Sequence, residues 1–314
     1  MKAIVYRRYG SPDVLRCEEI ERPAAGDGEV LIKVCAASVN PADWHFMRAS
    51  PYVVRAMTGW SKPRNTRLGA DVAGQVEAVG RNVTQFRPGD EVFGTSRGSF
   101  AEYVCAAQDR LARKPANLTF EQAAAVPLAG ITALQGLRDK GRIQRGQKVL
   151  INGAAGGVGT FAVQIAKSFG AAVTGVYSTR NVDMVRSIGA DDILDYTRED
   201  YTRSGARYDL ILDCVGNHSL SACRRTLRPK GTYVAVGGSL GRSLRAALLS
   251  RFVGQNLVML LASTKREDLV VLKELIEAGK VTPVLDRRYP LSEVPEAIRY
   301  LEEGHVRGKV VIGV

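Results

Sequence analysis

Hydrophobic and polar positions divide the chain into two parts with different periodicities. Up to about residue 114, apolar segments of strand length alternate with turns rich in glycine, proline and aspartate. This pattern predicts strands at residues 2–6, 29–36, 72–79, 91–94 and 100–105. The first part of the chain is therefore predicted to be a mostly β domain.

From about residue 120, strand-length apolar runs alternate with segments of helical spacing. Strands are predicted at 148–152, 171–177, 209–213 and 232–236, with helices at 159–169 and 181–188. Such a βαβ series predicts an α/β fold with a doubly wound parallel sheet. The tail is predicted to form helices at 267–278 and 293–303 and a strand at 309–314, and we expect it to return to the first domain.

Length and composition fit a soluble folded protein of two domains, because 314 residues are 45% hydrophobic and 24% charged. They exclude wholesale disorder and a collagen-like chain. No apolar run reaches the ~18 residues of a membrane span, and the start lacks the apolar core of a secretory signal, so we expect a cytoplasmic protein. The five cysteines lie far apart without a C-x-x-C pair, which predicts reduced thiols.

The chain carries 44 basic and 32 acidic residues, a formal net charge of +12. This surplus attracts nucleic acid, an anionic membrane surface or a phosphorylated cofactor alike. The basic residues are spread along the chain, and no zinc-finger spacing or aromatic RNA-binding signature accompanies them. A soluble basic surface is therefore favoured over specific nucleic-acid binding.

The most informative motif is N-G-A-A-G-G-V-G at 152–159, between an apolar strand and an amphipathic helix. A tight glycine turn in this context lets backbone amides and the helix N-terminus meet a pyrophosphate. The match is A-x-G-x-x-G, with Ala154 at the first glycine position and Gly156 and Gly159 at the later ones. The alternative is a plain turn that allows close packing of the helix on the strand.

The end of the second predicted strand, at 177–181, indicates which nucleotide is bound. NAD-selective folds place an acidic residue there to bind the ribose 2′-hydroxyl. This chain has none in that segment, whereas Ser178 can hydrogen-bond a 2′-phosphate and Arg180 can pair with it bidentately. NADPH is therefore favoured over NADH, although Arg180 can equally be a solvated residue at the start of a helix.

Further segments extend the pattern along nearly the whole chain. They are G-S-P-D-V-L at 10–15, A-S-V-N-P-A-D at 37–43, F-R-P-G-D-E-V-F-G at 86–94, G-I-T-A-L at 130–134 and G-H-V-R-G-K-V-V at 304–311. With these segments the sequence resembles the medium-chain dehydrogenase/reductase superfamily, specifically its zinc-free NADPH:quinone oxidoreductase branch. The resemblance implies a GroES-like catalytic domain (1–122 and 265–314), a Rossmann domain (123–264), a nicotinamide-binding cleft at their junction and a homodimer.

The resemblance also assigns roles to residues. Asn40, Asp43 and Thr132 would lie near the nicotinamide end of the cofactor, and Tyr196 would join Ser178 and Arg180 at the 2′-phosphate. The other implied cofactor-binding residues are Ala154, Gly156, Gly157, Val158, Gly159, Val215, Gly216, Gly237, Gly238, Ser239 and Lys309. For Asp43 and Lys309, a structural hydrogen bond or ion pair is an equal alternative.

Zinc alcohol dehydrogenases of this superfamily have a cysteine at the position of Asn40 and a His-Glu pair at the positions of Ala70 and Asp71. Catalytic zinc needs three protein ligands, so a zinc-type alcohol dehydrogenase is disfavoured here. Without a Lewis acid, the expected reaction is hydride transfer from NADPH to a quinone or an α,β-unsaturated carbonyl, which accepts hydride unaided. The remaining alternative is a non-catalytic NADPH-binding protein, either a redox-responsive scaffold or an RNA-binding module.

The proton that completes such a reduction would come from water or from a hydroxyl such as that of Tyr52, which could equally be a packing residue. A cluster of Met47, Tyr52, Met57 and Trp60 is predicted to form an apolar pocket wall suited to a flat hydrophobic substrate. The basic segment 242–251 reads as an amphipathic helix that could rest on an anionic bilayer. Packing of its apolar face on the cleft or on a partner subunit is the favoured interpretation.

Overall fold

The structure is a computed structural model that describes residues 1–179, 182–236 and 254–314, apart from the side chains of Met57 and Val182. Several sequence-based predictions lie outside the described residues: Arg180, Gly237, Gly238, Ser239, the side chain of Met57 and the basic segment 242–251. Among the described helices, none combines the length and the apolar character needed to cross a bilayer.

The chain forms two units. The first contains Met1–Leu128, Thr264–Glu277 and Pro283–Val314, and the second contains Ala129–Ser263 and Ala278–Thr282. The tail thus returns to the first unit, as the sequence predicts. The boundaries differ in detail from the expected division at 122/123 and 264/265. One cause is Gln164, whose side-chain amide donates to the carbonyl oxygen of Thr282 and accepts from its N–H, at 2.9 and 2.8 Å, and so holds 278–282 on the second unit.

The strands, in chain order, are β1 (Lys2–Val5), β2 (Arg16–Glu19), β3 (Glu29–Ser38), β4 (Asp71–Val79), β5 (Glu91–Thr95), β6 (Tyr103–Ala107), β7 (Leu111–Arg113), β8 (Lys148–Asn152), β9 (Ala172–Tyr177), β10 (Asp192–Asp195), β11 (Tyr208–Asp213), β12 (Leu227–Val236), β13 (Asn256–Leu260), β14 (Leu285–Pro290) and β15 (Lys309–Gly313). The described α-helices are α1 (Pro41–Arg48), α2 (Val54–Thr58), α3 (Phe120–Ala124), α4 (Pro127–Leu134), α5 (Gly157–Ser168), α6 (Val182–Ser187), α7 (Leu220–Arg225), α8 (Arg266–Glu277) and α9 (Val294–Glu302). A π-helical segment, Gln135–Lys140, continues α4.

The first unit is built on a mostly antiparallel sheet whose described strands run in the order β14-β15-β3-β4-β5-β7, with β6 also paired to β3. The strand β15, near the C-terminal end of the sequence, pairs antiparallel with β3, so that Val311 lies opposite Ser38. On the other side of β3, Ser38 lies opposite Asp71 at the start of β4. This register brings the ends of three strands together at one place.

In the second unit, the described strands form a parallel sheet in the order β10-β9-β8-β11-β12-β13. Numbered from β8, this is the strand order 3-2-1-4-5-6 of the Rossmann fold. The order reverses between β8 and β11, and ligands of such sheets bind at this switch point, beyond the carboxyl ends of the strands. The motif at 152–159 follows β8 and therefore lies at the switch point.

The predicted strands of the second unit are confirmed because each is a continuous buried apolar run. The predicted strand at 100–105 begins later, as β6 from Tyr103, because the N–H of Phe100 donates to the carbonyl oxygen of Leu68 and that of Glu102 to the carbonyl oxygen of Lys2, away from β3. Several short elements were not predicted: the helices α1, α2, α3, α4 and α7 and the strands β2, β7, β10, β13 and β14. α1 begins with Pro41 at its first turn, a favoured position for proline, and with Asp43 accepting the N–H of Asn40 at 2.8 Å.

Candidate functional site

The turn between β8 and α5 is shaped for an anion. Gly153 has φ +84°, and the N–H groups of Gly153 and Ala154 both donate to the carbonyl oxygen of Val176, at 3.1 and 3.0 Å. Gly156 is the N-cap of α5, so the helix begins at Gly157. The first N–H groups of a helix have no intrahelical acceptor and carry the positive end of its dipole. The predicted pyrophosphate-binding residues thus stand at a helix N-terminus, which is a ready anion site.

Steric demands inside the turn explain its glycines. A Cβ on Gly159 would lie 2.0 Å from the carbonyl oxygen of Gly153, so only glycine lets α5 begin this close to the turn. Ala154 is tolerated at the first motif position because its methyl group lies over Gly175, where a Cβ would come within 3.1 Å. The departure from a strict G-x-G-x-x-G pattern is therefore accommodated by a glycine on the neighbouring strand β9.

Two of the predicted 2′-phosphate residues lie side by side. Tyr177 is paired with Asp195 where β9 and β10 end, and the N–H of Tyr196 donates to the carbonyl oxygen of Tyr177 at 3.1 Å. Ser178 and Tyr196 directly follow these paired residues, and the side chain of Tyr196 is exposed. Their proximity is consistent with one shared ligand group.

Asp195, at the end of β10, is an acidic residue beside the predicted 2′-phosphate residues that lies outside the segment 177–181. Its carboxylate accepts hydrogen bonds from the hydroxyl groups of Thr179 and Thr197. These hydrogen bonds lower the pKa of Asp195, and the one from Thr179 contributes most. A negative charge therefore stands next to Tyr196, and the two threonines partly satisfy it.

A buried carboxylate also shapes the loop after β11. Asp213 Oδ1 accepts from the N–H groups of Val215 and Gly216, at 3.0 and 2.8 Å, and from Asn152 Nδ2 at 2.8 Å, while Oδ2 accepts from Tyr233 at 2.6 Å. The side chain of Val215 packs over Gly153. The predicted cofactor residues Val215 and Gly216 thus lie beside the glycine turn, in a loop that Asp213 holds. A signal for Asp213 was available, since it ends a buried strand shortly before a glycine.

Thr132 is buried and lies within the helix α4. The helix begins in the first unit, where the N–H of Leu128 donates to Asp71 Oδ1 at 2.9 Å. The chain then passes into the second unit within the same helix. Contact between Thr132 and a cofactor stays a prediction.

Asn40 belongs to a buried polar cluster in the first unit. Its Nδ2 donates to Asp71 Oδ2 at 2.9 Å and to the carbonyl oxygen of Ser38 at 3.3 Å. Its Oδ1 accepts from Lys309 Nζ at 2.6 Å. Asp71 Oδ2 also accepts from the Ser38 hydroxyl at 2.7 Å and faces Lys309 Nζ at 3.4 Å. The structure therefore brings together Asn40 and Lys309, which sequence reasoning named separately, around an aspartate that it left outside the site.

Asp43 is buried next to this cluster and accepts two backbone N–H groups, from Asn40 at 2.8 Å and from Gly69 at 3.1 Å. Burial raises the pKa of Asp43 to about 7, and the two N–H donors oppose the rise. Asp43 and Lys309 both make the structural contacts that the sequence left open as an alternative. Burial likewise lowers the pKa of Lys309, against the pull of Asp71.

The predicted pocket wall is only partly supported. Tyr52 is 68% exposed, with the guanidinium of Arg55 over its ring at 4.3 Å, and Arg55 Nη1 lies 3.2 Å from the Tyr52 hydroxyl and 3.1 Å from the carbonyl oxygen of Trp60. Trp60 is exposed as well. Met47 was wrongly included: it follows Asp43 by one turn of α1 and packs in the core of the first unit. The exposed surface therefore combines two aromatic rings with an arginine.

A Rossmann sheet with a glycine turn at its switch point in the second unit, together with a first unit built on a mostly antiparallel sheet, defines a nicotinamide-dinucleotide-dependent oxidoreductase. The family described as alcohol dehydrogenase GroES-like domain matches residues 26–116, and that described as zinc-binding dehydrogenase matches residues 188–312. The chain belongs to the medium-chain dehydrogenase/reductase superfamily, in its quinone oxidoreductase branch.

Individual proteins agree with this placement. The chain is 35% identical to the mitochondrial NAD(P)H oxidoreductase RTN4IP1 of Mus musculus, over 100% of this chain and 89% of the relative. It is 36% identical to the chloroplastic NADPH-dependent alkenal/one oxidoreductase of Arabidopsis thaliana, over 99% and 79% respectively. The solved structure of the quinone oxidoreductase from Coxiella burnetii matches with a TM-score of 0.91 and 33% identity, covering 100% of this chain and 99% of that one.

The residues present do not fit the zinc that one family description names. The described part of the chain holds no group of three or more His, Cys, Asp or Glu side chains arranged to bind a metal. At the positions where zinc dehydrogenases carry ligands, this chain has Asn40, Ala70 and Asp71, and the Lys309 ammonium lies against the first and the third. An ammonium group already occupies the place next to the carboxylate.

Proposed function

We propose that this protein is a zinc-independent, NADPH-dependent reductase that transfers a hydride to quinones or α,β-unsaturated carbonyl compounds. The observation that carries the proposal is the glycine turn at the N-terminus of α5, at the switch point of a sheet with Rossmann order. The names of the plant and bacterial relatives, an alkenal/one oxidoreductase and a quinone oxidoreductase, support the two substrate classes.

NADPH, when bound, supplies the hydride. In this chain, the N–H groups at the start of α5 bind its pyrophosphate, and Ser178 and Tyr196 bind the 2′-phosphate together with Arg180. Asp213 orients the loop that carries Val215 and Gly216. The protein's contribution is mainly to orient the reactants, which removes much of the entropic part of the barrier.

The substrate also needs a proton once it has accepted the hydride. Arg55 Nη1 lies at hydrogen-bond distance from the hydroxyl oxygen of Tyr52, so Arg55 donates and the hydroxyl hydrogen of Tyr52 points elsewhere. Exposure of Tyr52 leaves that hydrogen accessible to a substrate. Tyr52 is therefore the proposed proton donor, with water as the alternative.

Independence from zinc is supported by the donor set. The oxygen atoms of Asn40, Val39 and Asp71 all accept from the Lys309 ammonium, which neutralises the carboxylate without a metal. Zinc sites in proteins prefer sulfur and imidazole ligands, which this cluster lacks. Quinones and enones need no Lewis acid to hold an alkoxide, so the proposed substrates suit such a cluster.

The test is NADPH oxidation with 9,10-phenanthrenequinone, 1,4-benzoquinone and a 2-alkenal, with NADH as the control nucleotide and with and without a chelator. Turnover that prefers NADPH and persists with chelator is the expected result, and the best acceptor distinguishes quinone from enone reduction. Tight NADPH binding without turnover would refute the proposal in favour of a scaffold. Stoichiometric zinc in the purified protein, lost together with activity, would refute its zinc-independent part.

A homodimer is part of the proposal. In the described part of the chain, β13 has a strand neighbour on one side only, and Leu261, which follows it, is 81% exposed. An edge strand of this kind offers unpaired backbone groups to a second copy. Light scattering after size exclusion tests the dimer. We further propose a cytoplasmic location, which suits the five free thiols and is tested by cell fractionation.

A further inference from the structure

We infer that Asp71 and Lys309 are positioning residues for hydride transfer, because their buried ion pair fixes the side-chain amide of Asn40. The inference rests on the proposed function. Asp71 is 0% exposed and Lys309 is 3% exposed, and the two come from strands β4 and β15 on opposite sides of β3. Asn40 is likewise buried, at 3% exposure. The ion pair acts on hydride transfer only through the Asn40 amide, which the family resemblance places near the nicotinamide.

The polarity of the cluster allows one orientation of the Asn40 amide. Its NH2 group faces the Asp71 carboxylate and its oxygen faces the Lys309 ammonium. A flipped amide would direct its oxygen at the carboxylate and its NH2 group at the ammonium, and both contacts would be repulsive. The ion pair therefore decides which way Asn40 points.

This orientation limits what Asn40 can do. Both hydrogens of Nδ2 are used, toward Asp71 at 2.9 Å and the carbonyl oxygen of Ser38 at 3.3 Å. The amide oxygen has two lone pairs, of which Lys309 takes one. Asn40 can therefore accept one further hydrogen bond but cannot donate one. Any bound group that it orients must be a donor, such as an amide N–H or a hydroxyl.

The ammonium of Lys309 has as many acceptor oxygens around it as it has hydrogens, and one of them belongs to a carboxylate. Its three hydrogens have three oxygen acceptors: Asn40 Oδ1 at 2.6 Å, the carbonyl oxygen of Val39 at 3.1 Å and Asp71 Oδ2 at 3.4 Å. Val39 and Asn40 are consecutive residues in the turn from β3 to α1. Lys309 thus holds both the backbone of this turn and its side chain.

Asp71 has a second contact that Lys309 lacks. Its other oxygen, Oδ1, accepts the N–H of Leu128 in the first turn of α4 at 2.9 Å. Removing Lys309 therefore frees the turn at Asn40 and leaves Asp71 buried without its cation, whereas changing Asp71 also disturbs the start of α4. Lys309→Met is the cleaner variant because it keeps the length of the side chain and removes only the charge and its three donors.

Lys114 provides a matched control in the same unit. Its side chain is 8% exposed, and Nζ donates to the carbonyl oxygens of Leu118 and Pro115 at 2.6 and 3.2 Å and faces Glu91 at 3.3 Å. Lys114→Met removes a comparable buried ammonium that has no contact with Asn40. Glu91 is 52% exposed whereas Asp71 is fully buried, so Lys309→Met should be the less stable of the two variants, and their rates are compared well below each melting temperature.

The first measurement is the single-turnover rate of hydride transfer from saturating NADPH to the best of the quinone and enone acceptors named above. It is made well below each variant's melting temperature. Misplacement of a reacting group by about 1 Å costs on the order of a hundredfold in rate. We expect Lys309→Met to lower the transfer rate by about tenfold or more, with a much smaller change in the NADPH dissociation constant. Lys114→Met should keep the wild-type rate. Equal rates in the two variants would overturn the inference.

The second measurement does not depend on activity. A crystal structure of Lys309→Met should show the Asn40 amide turned away from its present orientation, with the 2.9 Å contact between Nδ2 and Asp71 Oδ2 lost. An unchanged amide would overturn the inference. If none of the quinones or enones supports NADPH oxidation by the wild-type protein, the proposed function fails. The crystal structure of Lys309→Met still decides whether the ion pair positions Asn40.

Discussion

Replacing Gly159 with alanine tests whether the nucleotide-binding turn is shaped by packing within the protein. The new Cβ would lie 2.0 Å from the carbonyl oxygen of Gly153 and 2.7 Å from the Cα of Ala154. Ordinary contact begins at 3.4 Å, so the carbonyl and the helix must separate by about 1.4 Å, the difference between 3.4 and 2.0 Å. Both partners are backbone, so no flexible side chain can absorb the strain.

The expected loss of stability follows from that displacement. Overpacking of a tight interior costs about 1–3 kcal/mol in the free energy of unfolding. Because the displaced atoms carry the N–H groups at the start of α5, the same shift weakens pyrophosphate binding. Each loss of about 1.4 kcal/mol raises a dissociation constant tenfold. We therefore expect Gly159→Ala to be less stable by about 1–3 kcal/mol and to bind NADPH about tenfold or more weakly.

Gly156→Ala is the matched control, since Gly156 lies in the same turn. Its φ of −82° suits any residue, and its Cβ would lie 3.5 Å from the carbonyl oxygen of Gly153, in ordinary contact. The protein without cofactor should keep its stability, while the added methyl group blocks close approach of the pyrophosphate. Urea unfolding without cofactor and fluorescence titration with NADPH measure the two effects. If Gly159→Ala were as stable as the wild type, the proposed clash with the backbone of Gly153 would be refuted.

Three further predictions concern single side chains. Burial raises the pKa of Asp43 to about 7, so the folded state binds its proton more tightly than the unfolded state does. The contribution of Asp43 to stability is full below its ordinary pKa of 3.8 and is lost as the pH rises through about 7. Urea titrations should show the wild-type free energy of unfolding falling relative to that of Asp43→Asn between about pH 5 and 7, by at most about 1.4 kcal/mol per pH unit. Parallel pH dependences of the two free energies would contradict this. Tyr52→Phe should lower kcat with a 2-alkenal by about a hundredfold or more while leaving NADPH affinity unchanged, whereas an unchanged kcat would assign the proton to water. Tyr196→Phe should raise KM for NADPH about tenfold and leave KM for NADH and thermal stability unchanged, and an equal effect on both nucleotides would remove Tyr196 from the 2′-phosphate.

Four of the six described strands of the parallel sheet, β8, β9, β11 and β12, were predictable because the evidence for them is local, whereas β10 and β13 were not predicted. Each of its predicted strands is a continuous apolar run bounded by turn residues, and the glycine turn follows the first of them directly. The short helices α1 and α2 escaped prediction because they span only eight and five residues, too few to show a helical period. The strand predicted at 100–105 begins only at Tyr103 because the backbone of residues 100–102 bonds to Leu68 and to β1, partners that the local sequence does not display.

The polar cluster around Asn40 could not be predicted, because nothing local connects its members. Asn40 and Lys309 were proposed singly, and Asp71 was considered only as the counterpart of a zinc-enzyme residue. Their contacts depend on the register of β3 against β4 and β15, which the sequence does not display. Asp213 is different, because a buried strand that ends in aspartate before a glycine is a visible pattern that could have been used.

The distance along the chain between the members of this cluster has a consequence for biosynthesis. Lys309 follows Asn40 by 269 residues, and β15 pairs with both β14 and β3. A ribosome has therefore translated every strand of the nucleotide-binding sheet before it reaches β15. Until then Asp71 lacks its cation, and β3 lacks one neighbour. Contacts between such distant residues form slowly, since the intervening loop must first close. The nascent protein should thus acquire a folded nucleotide-binding sheet first, and complete its first unit only when the last strand emerges.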